Sequence, residues 1–264
     1  PPRSTLFPYT TLFRSQFSNI AASAGIQFRH ENGLTPEKYL PETMGAGALF
    51  FDYDNDGWLD IFLTNGGSFS DAEKATGARH RLYRNTGAGA YRDTTASSGI
   101  AVFGYGMGAC SADYDNDGWA DLYVTGVGGN RLYRNTGKNG FVDVTRQAGV
   151  AAGMWSSSCA FGDIDNDGLV DLYVTRYVDF PSEANKYCPF DTLNAYCHPN
   201  IYSPLHDILY RNNGDGTFTD ISLKSGIGAV AGNGLGVVFG DYDNDGWTDI
   251  YVANDSNPSF LFHN

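Results

Sequence analysis

One short hydrophobic pattern recurs four times along the chain and predicts strands. In its first copy Leu59, Ile61 and Leu63 form one face, and Asp60 and Phe62 form the other. The same aliphatic face returns in three later copies, at Leu122 and Val124, Leu172 and Val174, and Ile250 and Val252. A period of two is typical of a half-buried β-strand. The pattern therefore predicts one equivalent strand in each of four repeats.

A longer repeat surrounds this strand. The stretch FDYDNDGWLDIFLTN begins at Phe51, and its three relatives begin at Ala112, Gly162 and Gly240. A second element follows, as in RLYRNTGAGAYRDTT from Arg81. Each unit reads as four short strands over roughly fifty residues, which is typical of a β-propeller blade. We therefore predict an all-β fold, a β-propeller of four-stranded blades of which about four are present.

The repeat boundaries also divide the chain. They give a blade tail at 16–26, blades at about 44–100, 104–150 and 155–227, and an incomplete blade at 234–264. Residues 5–15 resemble a translated sequencing adapter, so we exclude 1–15 as an artefact without structure. Small residues precede every acidic loop on one strand face, where we expect backbones to crowd at the propeller axis. They are Gly45 and Gly47, Gly106 and Gly108, Ser156 and Ser158, and Gly234 and Gly236.

Charge narrows the classes of function. The chain has 17 Lys and Arg against 30 Asp and Glu, a formal net charge of −13. Such a balance argues against an electrostatic grip on nucleic acid or on an anionic membrane surface. No apolar run approaches the roughly 20 residues that a membrane-spanning helix needs, so we predict no transmembrane segment.

The acids are concentrated in a motif, D-x-D-x-D-G-x-x-D, that occurs four times. Carboxylates this close repel one another unless a cation neutralises them, and oxygen ligands in a flexible loop suit Ca²⁺. We predict about four calcium sites, each with aspartates at positions 1, 3, 5 and 9 and the carbonyl of position 7. The ligands are Asp52, Asp54, Asp56, Trp58 and Asp60; Asp113, Asp115, Asp117, Trp119 and Asp121; Asp163, Asp165, Asp167, Leu169 and Asp171; Asp241, Asp243, Asp245, Trp247 and Asp249.

The same acidic motif has two alternative interpretations. An EF-hand needs Glu at position 12, where this chain has Leu63 and its equivalents, so the loop is not an EF-hand. Asp-rich turns held by hydrogen bonds without metal are the other alternative. Four copies with one spacing favour calcium.

The loop followed by RLYRNxGxGxFxDVT resembles the FG-GAP or VCBS repeats of integrin-α-like β-propellers. The runs KYLPETMGAG from Lys38, WSSSCAFGD from Trp155 and VANDSNPSFLF from Val252 are similar to bacterial secreted propellers of the ASPIC/UnbV (cartilage acidic protein-like) group. This resemblance implies a propeller of about seven blades. It also implies further C-terminal blades and an ASPIC/UnbV domain beyond this sequence.

Cysteines and cations outside the loops give further expectations. Cys188 and Cys197 bracket an insertion at 177–207, where we expect a disulfide; zinc held with His198 and His206 is the alternative. Cys110 and Cys159 are expected to be small buried apolar residues. Arg84, Arg134 and Arg211 share one repeat position with His263, and we expect the arginines to pair with acids between strands.

No catalytic or cofactor-binding motif stands out, so no catalytic residue is predicted. The leading hypothesis is a calcium-binding propeller outside the cell, at its surface or in the periplasm, that binds a protein or carbohydrate ligand. The alternative is a polysaccharide lyase or hydrolase on the same scaffold, with its site in the 177–207 insertion. A structural spacer is the third possibility.

Overall fold

The computed structural model describes residues 17–68, 80–100, 104–137, 140–181 and 185–264. These residues form three four-stranded antiparallel sheets, a three-stranded sheet and a two-stranded hairpin. The predicted all-β class with propeller-like, four-stranded blades is confirmed. The segment predicted to be an artefact, 1–15, lies outside the described part of the chain. Residues 69–79, which follow the second strand of the first blade, also lie outside it.

The strands follow one another in chain order within each sheet. Blade 1 comprises β1 (Ala48–Phe51), β2 (Asp60–Leu63), β3 (Arg81–Asn85) and β4 (Tyr91–Asp93). Blade 2 comprises β5 (Tyr105–Ala112), β6 (Asp121–Val127), β7 (Arg131–Asn135) and β8 (Phe141–Asp143). Blade 3 comprises β9 (Ser156–Gly162), β10 (Asp171–Arg176), β13 (Ile208–Asn212) and β14 (Phe218–Asp220), and blade 4 comprises β15 (Gly234–Gly240), β16 (Asp249–Asn254) and β17 (Phe260–Phe262).

The remaining elements are short and lie in connections. The hairpin of β11 (Cys188–Phe190) and β12 (Leu193–Ala195) is inserted between β10 and β13. Two single-turn helices, α1 (Thr145–Ala148) and α2 (Ser222–Ser225), follow the last strands of blades 2 and 3. Turns of 3₁₀ helix lie at Leu40–Thr43, Thr95–Ser97, Pro199–Ile201 and Ile227–Ala229.

Because neighbouring strands run antiparallel, their connections lie alternately at two opposite edges of each blade, where the strands begin and end. The acidic loop joins the first two strands and the short hairpin joins strands three and four, so both lie at one edge, the loop edge. The connections between strands two and three, including 177–207, lie at the opposite edge, the insertion edge. The segment 27–44, which leads into β1, also lies there. The acidic loops and the insertions therefore lie at opposite edges of the blades.

The first strands of successive blades pack against one another, as their small residues predict. A Cβ added at Gly47 would lie 2.6 Å from the carbonyl oxygen of Met107, and one at Gly108 would lie 2.6 Å from that of Ser157. Crowding is not uniform, because a Cβ at Gly45 or Gly236 would meet nothing within 4 Å. Glycine at the two tight positions lets neighbouring backbones touch.

A threonine in the second strand completes each of these close approaches. The hydroxyl of Thr125 accepts from the Gly108 amide at 2.9 Å, and that of Thr175 accepts from Ser158 at the same distance. In blade 1, Thr64 accepts from Gly47 at 2.7 Å and donates to Met107 of the next blade at 3.0 Å. Fully buried hydroxyls thus satisfy backbone groups that the crowded ladder leaves free.

The apolar core lies between blades, which corrects the predicted half-buried second strand. Leu122, Tyr123 and Val124 of β6 are all fully buried, so both faces of this strand are covered. Blade 1 shows the same arrangement, because Ile61 and Phe62, on opposite faces of β2, are both buried, whereas Leu59 just before the strand is 54% exposed. A blade that lies between two others is covered on both faces. Alternate side chains of its second strand therefore pack against different neighbouring blades, and neither face is open to solvent.

The outer faces of the two end blades are less covered. Phe50 of blade 1 is 62% exposed, and Val238, Tyr251 and Leu261 of blade 4 are between 46% and 61% exposed. In the described part of the chain, no helix has the length and apolar character needed to cross a membrane.

Segments at the insertion edge form a separate apolar cluster. Leu40 from the segment before β1 packs with Trp155, Tyr177, Cys197 and Tyr202. The indole of Trp155 contacts the Tyr177 ring edge-on, with centroids 4.8 Å apart. The Glu42 carboxylate is buried here and accepts from the hydroxyl of Tyr196 at 2.9 Å. The 27–44 and 177–207 segments therefore hold each other in place.

Both cysteine pairs form disulfides. Cys188 is bonded to Cys197, which ties the ends of the β11–β12 hairpin as expected. The expectation for Cys110 and Cys159 was wrong, because they are bonded to each other with Cα atoms 5.8 Å apart. They lie on opposite faces of their own strands, and opposite faces of successive blades are the surfaces that meet. The bond therefore joins blade 2 to blade 3.

The two disulfides are expected to differ in their effect on stability. The Cys110–Cys159 bond closes a separation of 49 residues and the Cys188–Cys197 bond closes one of 9. Chain-entropy arguments give about 4 kcal/mol for the first and about 2.5 kcal/mol for the second. Cys110→Ala/Cys159→Ala should therefore lower the free energy of unfolding in denaturant titrations more than Cys188→Ala/Cys197→Ala. The reverse order would contradict the role of the longer bond in joining blades.

Candidate metal centre

The first aspartate of each acidic loop shapes the turn. In blade 2, Asp113 accepts from the amides of Asp117 at 3.0 Å and Gly118 at 2.8 Å. The other three loops repeat both bonds within 0.2 Å. Glycine at position 6 is required by the backbone, since φ of Gly118 is +89°. The aspartate at position 5 in turn accepts from the amide at position 7, as Asp117 does from Trp119 at 3.0 Å.

Position 4 is asparagine in every loop, a residue that the sequence analysis passed over. Asn55, Asn116, Asn166 and Asn244 all have φ between +55° and +62°. Asparagine tolerates this left-handed conformation better than most side chains with a Cβ. The repeated DNDG string was the available signal, because its Asn and its Gly, two residues apart, are the residue types that best tolerate positive φ.

The ninth position is buried and belongs to the blade interior. Asp121 is fully buried and accepts from the amide of Asn135 at 2.7 Å and of Tyr114 at 3.1 Å. Asp60, Asp171 and Asp249 make the same pair of bonds, to strand three and to loop position 2. Each oxygen keeps a second lone pair. The side chain can therefore hold strand three and still face the loop.

Burial makes the ionised form of this aspartate costly. It raises the pKa of Asp121 to about 7 and those of Asp60 and Asp171 to about 6, against the opposing effect of the two amide donors. Neighbouring loop aspartates raise these pKa values further. A positive charge in the loop would favour the ionised form.

The arginines pair with acids, as expected, and these acids belong to the loop between the first and second strands of the same blade. Arg211 contacts Asp165 at 2.7 Å and Asp167 at 2.9 Å, which are positions 3 and 5 of its own loop. Arg84 and Arg134 make the equivalent pairs in blades 1 and 2. In blade 4, His263 takes this place at 2.9 Å from Asp243. The guanidinium holds the outer oxygens and leaves the inner oxygen of position 3 pointing into the loop.

That inner oxygen is the clearest sign of a cation site. Oδ1 of Asp54, Asp115 and Asp165 is buried and makes no hydrogen bond among the described residues. An acceptor in this state is costly unless a cation or donor meets it. Burial also raises the pKa of Asp54 and Asp115 despite the nearby arginine.

Carboxylate oxygens gather around this point in all four loops. Each of the following groups has one oxygen per residue, all within 4.8 Å of one another: Asp52, Asp54 and Asp56; Asp113, Asp115 and Asp121; Asp163, Asp165 and Asp171; Asp241, Asp243 and Asp249. The structure thus brings positions 1, 3 and 9 together in three loops and positions 1, 3 and 5 in the first. The position 7 carbonyls remain predicted ligands.

This donor set fits a hard divalent cation. Several carboxylate oxygens and a flexible loop are what Ca²⁺ takes in proteins, and a bound ion would neutralise the clustered charge. The residues that would hold it are those at positions 1, 3 and 9 in loops 2 to 4 and those at positions 1, 3 and 5 in loop 1.

The second predicted cluster does not form a metal site. Cys188 and Cys197 are consumed by their disulfide, so the zinc alternative is wrong. Nδ1 of His198 accepts from the amide of Asn200 at 3.3 Å, and the His206 ring contacts the carbonyl of Val230. Each histidine serves its local backbone.

Comparison with known families agrees with this architecture. The FG-GAP-like repeat family matches residues 52–124, 113–174 and 201–252, which is most of the chain. The chain belongs to this family. Its two disulfides, together with these repeats, are typical of an extracellular protein.

Two individual similarities accompany the family match. Over 56 residues the chain is 41% identical to cartilage acidic protein 1 of Xenopus tropicalis, which covers 21% of this chain and 9% of that protein. A solved lectin of Agrocybe aegerita, described as recognising non-reducing terminal N-acetylglucosamine, is 18% identical with a TM-score of 0.43. That match covers 84% of this chain and 52% of the lectin chain, and it says nothing of what this chain binds.

The buried aspartates give stability an unusual dependence on pH when metal is absent. The pKa values of Asp60, Asp121 and Asp171, about 6 to 7, lie above those in the unfolded chain, so the folded state holds more protons between about pH 4 and 7. The free energy of unfolding should therefore fall as pH rises through this window in the presence of a chelator.

Thermal melts at a series of pH values measure this directly. Asp121→Asn should flatten the fall, whereas Asp191→Asn, at an exposed hairpin turn, should leave it unchanged. A free energy of unfolding that rises from pH 4 to pH 7 in the metal-free protein would contradict the burial argument.

Proposed function

We propose that this chain is a calcium-binding propeller scaffold that acts outside the cell by binding a protein or carbohydrate ligand. The observation that carries the calcium part is the buried, unpartnered Oδ1 of position 3 in three loops, each facing at least two other carboxylates. In this proposal calcium is structural. It removes the repulsion among loop acids and fixes the turn that joins strands one and two.

The ligand part is supported by the insertion edge. The β11–β12 hairpin exposes Phe190, Leu193 and Tyr187, at 75%, 69% and 67%. Phe190 and Leu193 are cross-strand partners, and the other face of the hairpin is fastened to the 36–37 backbone through Asn194. A fixed hairpin binds at a lower entropic cost than a mobile loop. Exposed apolar groups held in this way are typical of a binding surface.

The catalytic alternative gains no support from the insertion. Its histidines contact backbone groups, and the buried Asp207 accepts from the Tyr173 hydroxyl at 2.9 Å and the Arg176 amide at 2.7 Å. These contacts serve the local fold.

Calcium titration of the metal-stripped chain tests the first part of the proposal. Calorimetry should give about four equivalents, with dissociation constants on the order of 10⁻⁴–10⁻³ M as in extracellular modules. At about 10 mM free calcium, each filled site should then stabilise the fold by about 1.4–2.7 kcal/mol and raise the melting temperature.

A pair of variants makes this test specific. Asp115→Asn removes the charge of a ligand whose Oδ1 makes no hydrogen bond, and it should weaken calcium binding and reduce the associated rise in melting temperature. Asp215→Asn, in the exposed blade 3 hairpin turn outside the loops, should behave as the parent chain. Absence of calcium binding, or melting that is indifferent to chelator, would reject the calcium scaffold.

A glycan array in the presence of calcium tests the ligand part for carbohydrates. We expect Phe190→Ser/Leu193→Ser to lose any glycan that the parent chain binds. Leu223→Ser, 84% exposed on α2 away from the hairpin, should keep it. Glycan binding that survives the double substitution would assign the ligand to another surface.

A further inference from the structure

The four acidic loops are joined side by side through asparagine side chains. Nδ2 of Asn55 in loop 1 donates to the carbonyl of Gly118 in loop 2 at 2.7 Å. Asn116 donates to Gly168 at 3.5 Å, and Asn166 to Gly246 at 3.1 Å. In every case position 4 of one loop reaches position 6 of the next.

A second asparagine runs in the opposite direction. Asn135, at the end of strand three in blade 2, donates through Nδ2 to the carbonyl of Tyr53 in loop 1 at 2.7 Å. Its amide meanwhile donates to Asp121 of its own loop at 2.7 Å. Asn212 and Asn264 repeat this arrangement between loops 2 and 3 and between loops 3 and 4.

These bonds end on the peptide groups that position the metal ligands. Tyr53 lies between the aspartates of positions 1 and 3 in loop 1. Gly118 donates its amide to Asp113, the first ligand of loop 2. A shift of either backbone segment would therefore move a carboxylate in that loop. Each loop thus has its geometry fixed partly by its neighbour.

We propose that Asn55, Asn116 and Asn166 are positioning residues that couple the calcium sites, so that filling one loop raises the affinity of the next. This inference rests on the proposed calcium function. In this proposal each loop has two arrangements. The loop is ordered when a cation neutralises its carboxylates, and repulsion pushes the carboxylates apart when no cation is bound. An ordered loop presents its position 6 carbonyl to the asparagine of the loop before it, and coupling of this kind is reciprocal.

The decisive experiment compares calcium affinities in loop variants of the full chain. Asp115→Asn disables loop 2, and we expect the remaining sites to bind calcium at least about fivefold more weakly, a lower bound for typical coupling. Asn55→Gly removes the link from loop 1 while keeping every ligand and tolerating the positive φ. It should lower the affinity of loops 1 and 2 without changing the stoichiometry.

Asn213→Gly is the matched control. This asparagine lies in the blade 3 hairpin turn, and its side chain hydrogen-bonds to those of Thr217 and Thr219. Its substitution should leave all calcium affinities unchanged, which separates coupling from a general loss of stability.

The possible outcomes are distinct. Weakened remaining sites in Asp115→Asn, together with weakened binding in Asn55→Gly at constant stoichiometry, support coupling. Loss of one equivalent in Asp115→Asn with the others unchanged, and unaltered binding in Asn55→Gly, would overturn it and leave the calcium sites independent. No calcium binding by the parent chain would instead reject the proposed function beneath it.

Discussion

Every blade depends on one buried carboxylate, the aspartate that ends its acidic loop. In blade 2 this is Asp121, which begins β6 and accepts from backbone amides of the loop and of β7. It therefore fixes the loop, the second strand and the third strand relative to one another. Its ionised form is costly when buried, and that cost links the blade interior to the charge held in the loop. Scaffold stability and the proposed cation site therefore depend on the same side chain.

Much of this arrangement could be predicted because it repeats. Four copies of one spacing showed the strands, the loop and the family resemblance, and the structure confirms the propeller-like class. The acidic positions could be found because aspartate at alternate positions before glycine has few uses other than a turn or a cation site. The hairpin disulfide was also predictable, since Cys188 and Cys197 bracket a segment interrupting the repeat.

What could not be predicted depends on which blades are neighbours. Cys110 and Cys159 appear unrelated in one repeat, yet they meet because opposite faces of consecutive blades are in contact. The bond from Asn55 to Gly118 likewise joins the loops of two successive blades. Single-repeat reasoning has no access to such contacts.

The separation of loop edge and insertion edge has a consequence for how such a scaffold can change. Connections such as 177–207 can grow, shrink or be exchanged without passing near the loop carboxylates, because the length of a strand separates the two edges of every blade. The residues at the loop edge can thus stay constant while the connections at the insertion edge vary. A designer could graft new connections onto blade 2, whose β6–β7 turn is short, and expect the loop edge to be unchanged.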